Sequence, residues 1–179
     1  MIWEQSIEGR YVTLQSVREE DAAVVLDIRQ DPKLTKYLPR LDITIAEQQD
    51  WIREQREREG DYYFLSWSKK GEPVGTIRIY HIDPVRLSGE TGSLALRGNA
   101  MENLETKLLC EDFAFRTLGL KETISVVNAE NRQALRFAQL FGVQFDEPSD
   151  DPRGFLCRIG HNETQRAEIY REKIRSMLY

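Results

Sequence analysis

The chain contains only two cysteines, Cys110 and Cys157, two histidines, and no excess of positive charge. Each shortage removes a class of function. Two cysteines in apolar surroundings form no disulfide framework, and Cys157 followed by His161 without a second pair is not zinc spacing. Both read as buried free thiols, and no metal is expected. Lys and Arg total 25 against 30 Asp and Glu, a formal charge of −5. Nucleic acid and anionic membranes need a basic field, so neither is expected as a partner. No apolar stretch approaches the roughly 20 residues of a membrane span. The opening MIWEQSIEGR lacks the basic start and apolar run of a signal peptide, which predicts a cytoplasmic protein. No G-x-G-x-x-G follows a strand, which argues against a dinucleotide-binding dehydrogenase. A Ser/His/Asp hydrolase is disfavoured by the lack of a G-x-S-x-G elbow.

What the chain does contain suits one globular domain over residues 1–179: 40% hydrophobic and 31% charged residues, with no linker or repeat. RYVTLQSV at 10–17 alternates apolar and polar residues and predicts a half-buried strand. In residues 18–32, Ala22, Val25 and Ile28 fall at helical spacing, and Asp31-Pro32 stops the helix. Residues 44–59 predict a second helix with Ile45, Trp51 and Ile52 inward; its mixed-charge end reads as a solvated face. Three strands follow: Tyr62–Trp67, Val74–Ile82 after the turn Lys70–Pro73, and Glu90–Leu96 after the turn Leu87-Ser88-Gly89. A long amphipathic helix, Met101–Leu118, stops at Gly119. Strand Thr123–Val127, helix Arg132–Phe141 and a second glycine stop at Gly142 come next. A loop, Asp146–Pro152, interrupts a closing hairpin that ends near Phe155–Arg158. The last helix is expected to be capped by Asn162, with Gln165 three residues on. Antiparallel strands followed by βαβα predict an α/β fold with a mixed central sheet covered by helices.

That order and three stretches of sequence resemble the GNAT superfamily of N-acyltransferases. EPVGTIRIYHID at 72–83 is similar to the family's central strand after a tight turn. GETGSLALR at 89–97 and AMENLETKLLCEDFAFRTLGLKET at 100–123 resemble its strand–helix unit. ISVVNAENRQALRFAQLFGV at 124–143 follows its "V…N..A……fG" pattern, with Asn131, Ala134 and Gly142 at the expected spacing. Within the superfamily the chain looks nearest to the Rim-type N-terminal acetyltransferases and the amino-sugar N-acetyltransferases.

The resemblance implies a sheet with helices on both faces and two splayed parallel strands, with acetyl-CoA wedged between them as co-substrate. Backbone at Ala95, Leu96 and Arg97 would pair with the pantetheine amides. Gly98, Asn99 and Ala100 would place the pyrophosphate on the helix N-terminus, where free amides favour an anion. Asn131 would lie beside the pantetheine arm, although Asn before a helix is also an ordinary N-cap. Two positions depart from the family. The phosphate loop carries one glycine rather than several, and Asn99 with Glu102 is itself a capping pattern. Ala138 stands where many members place a tyrosine that protonates the leaving thiolate.

For the base, Glu90 is the first candidate, by resemblance to family carboxylates in this area that take the amine proton through water. His81 is the second, and Asp83 a weaker third; Glu90 also reads as a surface hairpin residue and His81 as a polar strand end. Arg29, Tyr37, Trp51, Arg78 and Tyr80 form a candidate acceptor wall, apt for a sugar stacked on aromatics with a nucleotide diphosphate on arginine. The expected acceptor is a small-molecule amine, with a nucleotide-linked amino sugar ahead of a peptide N-terminus. A homodimer stays open. The alternative is a non-catalytic GNAT-fold binding or regulatory module.

Overall fold

The computed structural model describes residues 2–150 and 155–179. The chain forms β1 (Ile7–Glu8), β2 (Val12–Ser16), α1 (Ala22–Arg29), α2 (Pro32–Thr35), α3 (Ile45–Glu57), β3 (Tyr62–Ser68), β4 (Pro73–Asp83) and β5 (Ser88–Leu96). Then come α4 (Ala100–Asp112), β6 (Glu122–Asn128), α5 (Arg132–Gln139), β7 (Gln144–Phe145), β8 (Ser149–Asp150), β9 (Leu156–Glu163) and α6 (Thr164–Leu178). One mixed sheet runs β1-β2-β3-β4-β5-β6-β9-β7, with β8 on β9. Every pairing is antiparallel except β5 with β6.

The side-chain alternation of β3 explains the layers. Tyr62 and Phe64 point to one face, where they pack with Ile77 and Ile79 of β4 against Leu109, Cys110 and Phe113 below. Tyr63 and Leu65 point to the other and meet Val25 and Ile28 of α1 and Ile52 of α3. Helix α6 closes over α4 through Leu108, Phe141, Ile174 and Leu178. Both cysteines are free and buried. No helix of the described residues is long and apolar enough to cross a membrane.

The helix starts follow local chemistry. Thr44 and Glu47 cap α3 reciprocally, with Glu47 Oε2 accepting from the Thr44 N–H at 2.8 Å. Asp31 ends one helix and starts another, accepting from the Lys33 N–H at 2.8 Å at the head of α2. Gly119 and Gly142 take positive φ, 69° and 88°, where the helical segments end.

Several expectations are corrected. Ile45 is exposed and only Ile52 of the proposed inner face is fully buried, because the cap places Ile45 at the first, outward turn. Ser88 and Gly89 belong to β5, and Leu87 makes the turn with φ 55°. Helix α4 starts at Ala100 and its last turn, Phe113–Thr117, widens to π geometry, with the Leu118 N–H on the Phe113 carbonyl. Asn162 caps nothing: it lies buried in β9 and donates to the Phe141 carbonyl at 3.1 Å, and α6 begins two residues later. Of the loop Asp146–Pro152, Ser149 and Asp150 form β8, while Asp151 and Pro152 lie outside the described residues.

Candidate active site

The sheet opens between its two parallel strands. The β5–β6 ladder pairs Ser88 with Glu122, Gly89 with Thr123 and Glu90 with Ile124, and ends there. The hydroxyls of Thr91 and Ser125 share one more hydrogen bond at 2.8 Å. Beyond it β6 continues on β9 as far as Asn128↔Cys157, while β5 stays with β4.

A bulge in β5 drives the separation. Arg78 pairs with Gly92 and Thr76 with Ala95, so Ser93 and Leu94 together face the single residue Ile77. Ser93 takes φ 51°, and its carbonyl accepts from Thr76 Oγ1 at 2.8 Å. Such a bulge bends its strand and raises the local twist. The close crossing needs Gly75, since a Cβ there would come 2.3 Å from the Ala95 carbonyl oxygen.

The opening is a cavity of about 300 Å³ that reaches both faces of the sheet. Arg29, Tyr37, Arg78, Tyr80 and Glu90 line it on the side of α1 and α2. Lys107 of α4 and Asn131, Phe137 and Ala138 line it on the other. The structure therefore brings six sequence-selected residues together: Arg29, Tyr37, Arg78, Tyr80, Glu90 and Asn131. His81 sits beside the cavity with its side chain 76% exposed. Trp51 stands behind Arg78, edge-on to Tyr63, and is not part of the wall. Ala95 packs in the core beneath α1, and Leu96, Arg97, Gly98, Asn99 and Ala100, which are not among the residues lining the cavity, join β5 to α4.

Glu90 is the cavity's acidic centre. Tyr80 Oη donates to Glu90 Oε1, and His81 Nδ1 lies 3.2 Å from Oε2. Tyr80 and Glu90 are direct cross-strand partners, so the backbone register sets their contact. Gly92 leaves room for the phenol, because a Cβ there would come 2.7 Å from Tyr80 Oη.

Two of the cavity's cations are neutralised internally. Arg78 grips the buried Asp61 with both ends of its guanidinium, Nε at 2.7 Å from Oδ1, and lies between the rings of Trp51 and Tyr80. Gln55 Nε2 donates to Asp61 Oδ1 at 3.0 Å and so completes that site. Lys107 pairs with Glu111, both buried, one helical turn on.

The head of α4 is already occupied by its own side chains. Asn99 Oδ1 accepts from the Met101 and Glu102 N–H groups at 3.0 and 3.1 Å, and Glu102 Oε2 accepts from the Asn99 N–H at 2.8 Å. Arg97 is tied to Asp27 and to the Pro73 carbonyl. Asn131 caps α5, accepting from the Ala134 N–H at 3.1 Å. Sequence reading missed the Ser93 bulge, Gly92, Asp61 and Lys107; of these only Gly92 carries a signal, a glycine inside a strand.

The sequence from residue 12 to 144 matches the family model of the acetyltransferase (GNAT) domain. No curated protein matches the chain. Among solved structures, apo FdhC, a nucleotide-linked sugar GNAT, superposes with a TM-score of 0.83 at 24% identity, covering 98% of each chain. A GCN5-related N-acetyltransferase from Brucella melitensis gives a TM-score of 0.83 at 18% identity, over 99% of this chain and 86% of that one. Spermidine N-acetyltransferase from Vibrio cholerae, solved with CoA and spermine, gives 0.79 at 12% identity, over 89% and 99%. With the family model spanning most of the sequence and a parallel pair that parts beside Glu90, the chain belongs to the GNAT acetyltransferase family.

Proposed function

We propose that this protein transfers an acetyl group from acetyl-CoA to a primary amine of a small molecule, a nucleotide-linked amino sugar ahead of a peptide N-terminus. One observation carries the reading: the β5–β6 ladder stops at Glu90, leaving a passage through the sheet with a carboxylate on its wall. The thioester enters along the strand edge freed beyond Glu90, facing Asn131. The amine enters from the side of α1 and α2, so the two reactants meet in line.

Glu90 takes the proton that makes the entering ammonium a neutral amine, and the exposed His81 passes it to solvent. The nitrogen attacks the thioester carbonyl and a C–N bond forms. As the tetrahedral intermediate collapses, the C–S bond breaks and Glu90 takes the second nitrogen proton. Tyr80 gives its proton to the departing sulfur, a role open because Ala138 offers none, and Glu90 restores it through their shared hydrogen bond. No metal takes part in this scheme.

The reciprocal cap at Asn99 and Glu102 favours the second reading, a non-catalytic binding module, because it occupies the amides that a pyrophosphate would use. Thermal unfolding with and without acetyl-CoA separates the two. Ligand at 100 times its dissociation constant adds about 2.7 kcal/mol, and absence of any shift at millimolar acetyl-CoA overturns the transferase reading. A shift without turnover on a panel of amino sugars and N-terminal peptides selects the binding module. In the transferase reading Glu90→Gln lowers turnover roughly 100-fold at neutral pH and leaves the acetyl-CoA shift intact.

A further inference from the structure

We propose that Arg29 is an oxyanion subsite, and that the amine reaching Glu90 belongs to a molecule that also carries a phosphate or carboxylate. The inference rests on the reading of the α1–α2 side of the cavity as the acceptor side. Three cations border this cavity, and their partners differ. Arg78 is held bidentately by Asp61, and Lys107 by Glu111. Arg29 is 8% exposed and borders the cavity, yet no carboxylate pairs with it among the described residues. Its buried Nε has no hydrogen-bond partner among the described residues.

A buried guanidinium without a partner is costly, and its planar fork fits a carboxylate or phosphate. Its place in the last turn of α1 lets the helix dipole ease the charge, but a dipole satisfies no N–H donor. Tyr37, Leu38 and Pro39 wall the same side, which shields an ion pair formed there from water. Glu90, the cavity's own carboxylate, is engaged by Tyr80 and His81, so it leaves Arg29 for the ligand. The two charges also orient an acceptor, amine toward Glu90 and anion toward Arg29. A polyamine, cationic throughout, meets the wrong charge at Arg29.

Two measurements test this. In the first, inorganic phosphate at tens of millimolar, against chloride of equal ionic strength, is expected to raise the melting temperature of the wild type. Arg29→Met is expected to show no such rise, Arg29→Lys a smaller one, and Arg29→Met alone to unfold no earlier than the wild type, because it removes an unpaired buried charge. In the second, amines matched except for the anion (glucosamine with and without a 6-phosphate, ethanolamine with and without a phosphate, alanine with alaninamide) and spermidine compete as acceptors. The anionic member is expected to have a KM roughly 10- to 100-fold lower, a preference that Arg29→Met erases. An equal phosphate response in wild type and Arg29→Met, or no response in the wild type, overturns the subsite. So does equal use of charged and neutral acceptors. A phosphate response that depends on Arg29 without any acetyl-CoA shift supports the subsite while refuting acetyl transfer.

Discussion

Replacing Glu105 should destabilise the protein more than a helical glutamate ordinarily would. It lies in the middle of α4, fully buried, and its carboxylate accepts from the N–H groups of Arg10, Tyr11 and Val12 at 2.9, 2.6 and 2.7 Å. Tyr179 Oη donates to it as well, so one side chain ties the start of β2 and the end of α6 to α4. Glu105→Ala strands three amides. The Val12 amide is buried and the other two are partly so, so costs of about 2 kcal/mol and about 1 kcal/mol each are reasonable, giving about 4 kcal/mol in all. At 2–4 °C per kcal/mol for a chain of this size, the melting temperature should fall by roughly 8–16 °C. Glu105→Gln keeps one acceptor but turns an amino group toward donors, and should lose about half as much. An independent route reaches the same group. A Cβ at Gly9 would come within 2.4 Å of the Glu105 carboxylate, so Gly9→Ala should also destabilise, and less than additively with Glu105→Ala. Thermal and urea unfolding of the wild type, the three single variants and the Gly9→Ala/Glu105→Ala double variant would measure this. A loss under about 1 kcal/mol for Glu105→Ala, or full additivity, would refute the clamp.

Other positions give separate tests. Gly92→Ala pushes Tyr80 off Glu90; turnover should drop roughly 10- to 100-fold with a small change in melting temperature, and unchanged turnover would remove the Tyr80–Glu90 contact from the mechanism. Glu102→Gln removes a negative charge from the head of α4 and should lower the KM for acetyl-CoA about fivefold; an unchanged KM would place the pyrophosphate elsewhere. The Tyr179 pKa is pushed up to about 12, first by burial and then by the hydrogen bond to Glu105. Because the folded chain holds this phenol neutral, its stabilising share is full below about pH 10 and fades as pH rises toward 12. In phenolate absorbance, Tyr179→Phe should delete the last titrating phase, and persistence of that phase would refute the assignment.

The features legible in sequence were those with local causes. Alternation in β2, the turn at Lys70–Pro73, and the stops at Gly119 and Gly142 all follow from period and backbone freedom. The resemblance supplied the parting of β5 and β6, which no local pattern encodes. Features set by tertiary neighbours stayed hidden. Lys107 and Glu111 have the i,i+4 spacing of a solvated ion pair and Glu105 reads as one more surface carboxylate, yet all three are buried, because the sheet and α6 enclose α4. Arg78 reads as a free cation until Asp61, 17 residues earlier in the sequence, meets it from the head of the neighbouring strand β3. Asn162 has the composition of a cap, but pairing of β9 with β6 extends the strand through it. The phosphate loop shows the reverse case: Asn99 and Glu102 form the reciprocal cap that their spacing suggested.

The place of Glu90 on its strand links these points. It occupies the last rung on which β5 has both neighbours, with Tyr80 across one ladder and Ile124 across the other. Pairing on both sides fixes the carboxylate rigidly, which a proton acceptor requires if its reach is to be reproducible. Three residues further on, the bulge at Ser93 turns the strand away, and the freed edge belongs to the cavity. The side chain that must stay still and the backbone that must be open are therefore adjacent, separated by one change in register. Moving the bulge toward the strand's start would loosen Glu90, and removing it would close the passage. The bulge at Ser93 is thus the strand irregularity whose position the proposed chemistry constrains most tightly.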